Sequence, residues 1–125
     1  MKQPLHIVLK TREAFAFAGL WESWTPPEPA KPSPTRRDGD VSVAKVLSCT
    51  IITTEANKLL KQVHERMPVI LSKEDETLWL DPKIDDPAKL LPLLKQYPAD
   101  LMEFYPVDRK VNSPANDSPD CITPI

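Results

Sequence analysis

Hydrophobic and polar positions alternate in two segments near the start of the chain. Leu5, Ile7 and Leu9 recur at every second position, which is the spacing of a β-strand. Residues 14–21 alternate again, with two phenylalanines on one face and alanines on the other. A polar turn joins the two segments, so the pattern predicts an antiparallel hairpin.

Residues 25–40 interrupt this pattern. The stretch holds five of the chain's 15 prolines, and each proline removes a backbone donor and restricts the residue before it. The segments on either side are too short to be separate domains. The sequence therefore predicts a proline-rich loop inserted at about 25–40 within one domain.

The longest β-prone run covers residues 43–54, and a helical pattern follows it. Thr54 is placed as a helix N-cap. Apolar residues then recur at i, i+3, i+4 and i+7, namely Ala56, Leu59, Leu60 and Val63. Because Pro68 disfavours helical backbone at the preceding residue, the pattern predicts a short helix that ends near Arg66.

The second half predicts two more short helices. Ser72 followed by Asp75 resembles a capping box, and Pro87 after Asp86 suits the first position of a helix. The first helix should end at Asp81, just before a proline. Strands are predicted over residues 69–71, 101–107 and 121–125.

Composition narrows the classes of function. The 125 residues are 41% hydrophobic and 27% charged, with a net charge of −2. Nucleic-acid-binding domains are usually basic, so this balance weakens a nucleic-acid function without excluding it. No apolar run approaches the roughly 18 residues of a membrane span, and the N-terminus lacks a signal peptide's apolar region. The sequence predicts a cytoplasmic protein without membrane contact.

The cysteines and histidines indicate neither a metal site nor a cofactor. Two cysteines and two histidines lack the paired spacing of zinc ligands, and we predict free thiols. Cys49 lies in a β-prone run, where a small core residue is favoured over a nucleophile.

The segment from Thr53 to Arg66 concentrates the polar side chains that can carry chemistry. His64 is suited to general acid/base catalysis, or it is a solvated or capping residue. Arg66 is suited to bidentate phosphate contact, or it forms a surface salt bridge with a nearby glutamate. Thr53 and Thr54 either offer a hydroxyl to a ligand or cap the predicted helix.

Trp21 and Trp24 flank Glu22. Indole rings stack on bases in single-stranded nucleic acids, but packing against the predicted hairpin is favoured here. Glu22 is predicted to be an exposed acid at a strand end.

Together these motifs resemble the SOS-response-associated peptidase (SRAP) family over nearly the whole chain. Residues 15–22 are similar to the family's Phe-Ala-Gly-Leu-Trp-Glu strand, and residues 50–57 to its Thr-Thr-x-Ala-Asn segment. Residues 64–71 match its His-x-Arg-Met-Pro signature, and residues 105–125 resemble its closing segment.

The resemblance implies an α+β fold, a β-barrel-like core with short helices and a positively lined DNA groove. It implies a protein that binds abasic sites in single-stranded DNA. In the family, an N-terminal cysteine condenses with the abasic-site aldehyde to a thiazolidine cross-link. Carried over by motif, His64 is the acid/base residue and Arg66 contacts the DNA backbone. Thr53 lines the aldehyde pocket, and Thr54 beside it is a further candidate for DNA binding.

The family's N-terminal cysteine and its Gly-Phe-Tyr-Glu-Trp segment have no counterpart in residues 1–125. We therefore expect the chain to be the C-terminal part of a single SRAP domain, truncated at its N-terminus and not competent alone. Its partners would be abasic single-stranded DNA and the missing N-terminal half in trans. Strands without neighbours should leave apolar residues exposed, namely Phe15, Phe17, Trp21 and Ile51.

Two alternatives stay open. One is a non-enzymatic remnant, or half of a split protein, that keeps part of the DNA groove. The other is a cysteine-type peptidase that uses Cys49, which requires an accessible thiolate.

Overall fold

Short strands and short helices alternate along the chain in the computed structural model, which describes residues 2–27 and 45–125. The strands are β1 Leu5–Leu9, β2 Ala16–Phe17, β3 Gly19–Trp24, β4 Val46–Ile51, β5 Thr53–Glu55, β6 Arg66–Pro68, β7 Ile70–Leu71 and β8 Met102–Pro106. The α-helices are α1 Lys73–Leu80 and α2 Pro87–Leu90. Single 3₁₀ turns lie at Leu60–Gln62, Leu91–Leu93, Ala99–Leu101, Arg109–Asn112 and Pro119–Ile122. This mixed content agrees with the predicted α+β class.

The strands pair only in twos within the described residues. The antiparallel pairs are β1 with β8, β2 with β7, β3 with β4, and β5 with β6. No closed barrel forms among these residues, so the β-barrel-like core is not confirmed. Most of the predicted insertion, from residue 28 onward, lies outside the described residues, as do Val43 and Ala44.

Three chain segments meet at a closed ring of backbone hydrogen bonds. The Ala18 amide donates to the Val69 carbonyl at 2.8 Å, the Val69 amide to the Ile52 carbonyl at 2.9 Å, and the Ile52 amide to the Ala18 carbonyl at 2.9 Å. Ala18 and Val69 are fully buried. Ala18 lies between β2 and β3, Ile52 lies between β4 and β5, and Val69 lies between β6 and β7. Each of the three segments therefore changes its pairing partner at the ring.

Most of the buried apolar residues in the described part of the chain form two small clusters. The first surrounds Met67 and Met102, and the second surrounds Val69. The first comprises Leu9, Ala56, Leu60, Met67, Ile70 and Met102; the second comprises Ala18, Val69, Leu71 and Leu93. Met67 of β6 belongs to the first cluster.

The predicted N-terminal hairpin is wrong. β1 pairs with β8, near the other end of the chain, and β2 pairs with β7. After β1, Arg12 adopts a positive φ of 65°, a conformation that is uncommon for a residue other than glycine. The Arg12 side chain forms an ion pair with Glu103 of β8. The turn therefore leads away from β1 and does not fold back on it.

The predicted helix from Thr54 to Arg66 is also wrong. Thr54 lies inside β5 and caps no helix, and only the single turn Leu60–Gln62 forms. The Asn57 side-chain oxygen accepts hydrogen bonds from the amides of Leu59 and Leu60 at 3.1 and 3.0 Å. An asparagine that binds the backbone in this way favours a turn over a continuing helix.

The other predictions for the second half are mostly confirmed. Ser72 caps α1 by accepting from the Asp75 amide at 3.1 Å, and Asp86 caps α2 by accepting from the Ala88 amide at 2.9 Å. β7 and β8 fall within the predicted strands. The strand predicted at 121–125 is wrong, because the turn Pro119–Ile122 reaches into it and only Pro124 pairs, as an isolated bridge. No described helix combines the length and apolar character needed to cross a membrane.

Candidate functional site

The candidate site is built on the short ribbon of β5 and β6. Thr53 lies opposite Pro68, Thr54 opposite Met67, and Glu55 opposite Arg66. Because directly opposed residues of an antiparallel pair share a face, Thr53, Glu55 and Arg66 lie together on the exposed face. Thr54 shares the opposite face with Met67, which is 1% exposed. The structure therefore brings Thr53 and Arg66 together and separates Thr54 from them.

Arg66 is held against Thr53 by one guanidinium nitrogen. Nη2 donates to the Thr53 carbonyl at 2.8 Å and to the Thr53 hydroxyl at 3.0 Å. A guanidinium has five N–H donors, so the others remain available to an anion. No ion pair joins Arg66 to a carboxylate within the part of the chain that the structure describes. The alternative of a surface salt bridge is therefore not realised.

His64 lies directly beside Arg66. The Arg66 amide donates to His64 Nδ1 at 2.9 Å, and the Arg66 carbonyl oxygen lies 3.2 Å from the same nitrogen. Nδ1 accepts from the amide when it carries no proton, and the neutral ring then carries its proton on Nε2. Nε2 makes no hydrogen bond to residues 2–27 or 45–125, and the residue is exposed. This nitrogen is therefore the one that a ligand can reach.

Both signs of charge occur around Arg66. Glu55, Lys61, Glu65 and Arg66 line a surface cleft of about 460 Å³. Lys61 Nζ lies 2.6 Å from Glu55 Oε1. This hydrogen bond and the Lys61 charge lower the pKa of Glu55, and the Arg66 charge acts in the same direction. The cleft holds two cations and two carboxylates, so the positive charge offered to an anion is partly compensated.

Asn57 is the residue that the sequence patterns alone missed. It is buried, at 4% exposure, and its Nδ2 donates to the Tyr97 carbonyl at 2.8 Å. Its side-chain oxygen holds the turn at Leu60–Gln62, and the His64 amide donates to the Leu60 carbonyl at 2.9 Å. Asn57 thus anchors the loop that ends at His64. The available signal was an asparagine two residues beyond the end of a strand, a residue type that is typical of side-chain-capped turns.

The cysteines and tryptophans depart from their predicted surroundings. Cys49 is exposed on β4, so its predicted core position is wrong. Neither histidine forms a hydrogen bond with Cys49 among the described residues, so no thiol–imidazole pair is seen there. Cys121 is buried, and both thiols are free, as predicted. Trp21 and Trp24 are 77% and 51% exposed, so their predicted packing against a hairpin is wrong.

The predicted exposure of apolar residues is confirmed at three of four positions. Phe17, Trp21 and Ile51 are exposed, whereas Phe15 packs against the first core cluster. Glu22 is exposed on β3, as predicted. No group of three or more metal-binding side chains occurs in the described part of the chain.

Comparisons with known proteins connect this chain to one family. A family model described as SOS response associated peptidase (SRAP) matches residues 1–114. The Bacillus subtilis abasic site processing protein YoqW is 47% identical over 121 residues, which cover 97% of this chain and 48% of that protein. The Gallus gallus abasic site processing protein HMCES is 34% identical over 111 residues, covering 87% of this chain and 28% of that protein.

A solved structure shares the fold described above. The X-ray structure of a protein from Bacteroides thetaiotaomicron superposes with a TM-score of 0.77 at 26% identity, covering all of this chain and 49% of that chain. The chain thus spans about half the length of YoqW and of this solved protein.

Proposed function

The chain belongs to the SOS response associated peptidase (SRAP) family, and we propose that it takes part in abasic site processing by binding single-stranded DNA at an abasic site. The observation that carries this proposal is the cluster of Thr53, Arg66 and His64 on one exposed face. All three residues lie within the matched part of the chain. Relatives from bacteria and vertebrates carry the name abasic site processing protein.

Each residue of the cluster has one role in this proposal. Arg66 binds a backbone phosphate through the guanidinium donors that Thr53 leaves free. The Thr53 hydroxyl holds the guanidinium in place and lines the position of the open sugar. His64 exchanges a proton with the abasic-site aldehyde through Nε2, because Nδ1 is engaged by the Arg66 amide. Thr54, on the inward face, supports the ribbon and makes no DNA contact.

The covalent step in this proposal uses a cysteine with a free α-amine, a group that the cluster of Thr53, His64 and Arg66 does not contain. An N-terminal cysteine supplies an amine and a thiol, both of which bond to the aldehyde carbon, and the aldehyde oxygen leaves as water. His64 Nε2 donates a proton to that departing oxygen and takes up the proton that the thiol releases, so the imidazole ends in its starting state. We infer that this cysteine belongs to a segment equivalent to the part of the relatives outside the matched residues. A polypeptide of residues 1–125 should therefore bind abasic DNA without forming a bond that survives denaturation.

The proposal is tested by fluorescence anisotropy with a labelled single-stranded oligonucleotide that contains one abasic site. We expect Arg66→Ala to weaken binding and to lower the slope of log affinity against log salt by about 0.7, the value for one phosphate contact on a single strand. Lys89→Ala is the matched control, since it removes an equal charge from the exposed side of α2. If Arg66→Ala changes neither affinity nor salt slope, the assignment of Arg66 is wrong.

An oligonucleotide with an intact base at the same position tests the specificity of the site. We expect weaker binding, and we expect His64→Ala to reduce the difference between the two oligonucleotides. Equal affinity for both oligonucleotides would show that the protein binds single-stranded DNA in general and does not recognise the abasic site.

A further inference from the structure

The turn at Leu60–Gln62 carries a lysine into the cleft beside Arg66. Lys61 lies on this turn, and its Nζ is 2.6 Å from Glu55 Oε1. The Lys61 and Glu55 side chains are 55% and 64% exposed, so both are open to solvent. Lys61, Glu55 and Arg66 line the same cleft, which places a second cation next to the proposed phosphate ligand.

The turn is held in place without this ion pair. The Asn57 side-chain oxygen accepts from the amides of Leu59 and Leu60, and the Lys61 amide donates to the Asn57 carbonyl at 2.9 Å. Ion pairs between exposed side chains add little to stability, because each charge is well hydrated when it is alone. The Lys61 side chain can therefore leave Glu55 when another anion is offered to it.

Glu55 holds the position of an anion in this cleft. It lies directly opposite Arg66 across the β5–β6 ribbon. The hydrogen bond and the charge of Lys61 hold the pKa of Glu55 below its ordinary value, and the Arg66 charge acts in the same direction. The carboxylate is thus stabilised by two cations, and lysine and arginine are also the side chains that bind phosphate.

The neighbouring Lys58 provides a contrast within the same loop. Its Nζ lies 3.3 Å from Asp100, and both residues line another cleft, together with Lys10. Lys58 and Lys61 are thus both exposed and ion-paired, but of these two only Lys61 shares a cleft with Arg66.

We propose that Lys61 is a second phosphate ligand, and that DNA binding exchanges its Glu55 partner for the backbone phosphate next to the one that Arg66 binds. This inference rests on the proposed function and adds one residue to its DNA contacts. Glu55 then acts as an internal competitor that occupies Lys61 in the free protein. No covalent bond changes, because one anion replaces another beside the same ammonium group.

The test compares lysine variants in a chain that already carries Glu55→Gln. In the unaltered chain, Lys61→Gln would leave the Glu55 carboxylate unpaired near Arg66, where it repels phosphate whether or not Lys61 contacts DNA. The Glu55→Gln chain lacks this repulsion. In that chain we expect Lys61→Gln to weaken binding of the abasic oligonucleotide roughly threefold or more. The slope of log affinity against log salt should fall by about 0.7, the value for one phosphate contact on a single strand.

Lys58→Gln in the same Glu55→Gln chain is the matched control. It removes an equal charge from the same loop but from the other cleft. Affinity should therefore change by less than about twofold, with little change in salt slope. Urea unfolding midpoints of both variants check that each one folds.

The titration of Glu55 supplies a second measurement in the chain without substitutions. Carboxyl ¹³C NMR measures the pKa of Glu55 with and without an oligonucleotide that carries only thymine around its abasic site. Because Lys61 is the main cause of the lowered pKa, loss of this partner on DNA binding should raise the pKa toward its ordinary value. Lys61→Gln should raise it in the same direction in the free protein.

Three results would overturn the proposal. These are equal effects of Lys61→Gln and Lys58→Gln, an effect of Lys61→Gln only where Glu55 is present, or a Glu55 pKa that DNA binding leaves unchanged. If Arg66→Ala weakens binding while Lys61→Gln matches its control, the role of Lys61 is wrong and the proposed function stands. Absence of DNA binding by the unaltered chain would overturn both.

Discussion

Arg66 and Thr53 lie on adjacent strands and are joined by two hydrogen bonds from a single nitrogen, Nη2, at 2.8 and 3.0 Å. One bond reaches the Thr53 carbonyl and the other reaches its hydroxyl. The carbonyl contact is independent of the side chain at position 53, whereas the hydroxyl contact depends on it. Substitution of Thr53 therefore removes only the hydroxyl contact and measures how much that contact contributes to orienting the Arg66 guanidinium.

Thr53→Val should weaken binding of abasic single-stranded DNA several-fold, because an ordinary hydrogen bond contributes about 0.5–1.5 kcal/mol. Valine keeps the β-branched shape that suits β5. Thr54→Val is the matched control, since Thr54 lies on the inward face. Anisotropy titrations of both variants provide the measurement. A larger loss of affinity in Thr54→Val than in Thr53→Val would mean that the DNA lies on the other face.

Glu55→Gln should strengthen DNA binding. The Glu55 carboxylate bonds Lys61 and lies near enough to Arg66 to be stabilised by its charge. Its removal leaves both cations free to attract phosphate, so affinity should rise and the salt slope should steepen. Glu13→Gln, at an exposed position outside the cleft, controls for the change in net charge. Unchanged binding in Glu55→Gln would indicate that phosphate does not enter this cleft.

Asn57→Ala should destabilise the fold by about 1–3 kcal/mol, the cost of leaving buried polar groups without partners. The Tyr97 carbonyl and the amides of Leu59 and Leu60 all lose a partner. Equilibrium urea unfolding measures the change. Asn116→Ala is the control, because Asn116 is exposed and donates a single side-chain hydrogen bond to the Lys110 carbonyl. A loss in Asn57→Ala no larger than in the control would contradict the anchoring role.

The ion pair of Asp120 with Lys110 should make stability depend on acid pH. Hydrogen bonds from Lys110 and Ser118 lower the pKa of Asp120 from 3.8 to about 2. A carboxyl group whose pKa is lower in the folded state than in the unfolded state stabilises the fold at pH values above its unfolded-state pKa. This contribution disappears as the pH falls through the folded-state pKa. Asp120→Asn should therefore be less stable than the unaltered chain at pH 7 and equally stable near pH 2. The urea unfolding midpoints of both proteins at the two pH values measure this difference in stability. An equal difference at both pH values would show that the Asp120 ion pair does not make stability depend on pH.

Features that depend on residues close together in the sequence were predictable from the sequence. The caps of α1 and α2 are confirmed at Ser72 and Asp86, because each cap bonds an amide only two or three residues away. The order of motifs from residue 15 to the closing segment was likewise sufficient to identify the family, which matches residues 1–114. It also located Thr53, His64 and Arg66, which the structure brings together.

Strand pairing and exposure were decided only by the tertiary structure. β1 pairs with β8 rather than with its neighbour in sequence, and Ala18, Ile52 and Val69 close a ring across three distant segments. Thr54 lies inward because the register of β5 with β6 places it on the face of Met67. Cys49 is exposed because all six residues of β4 are exposed. Alternation specifies which residues share a face, but the side that is buried depends on what the rest of the chain packs against it. That choice is made by contacts far apart in sequence, where local patterns carry no information.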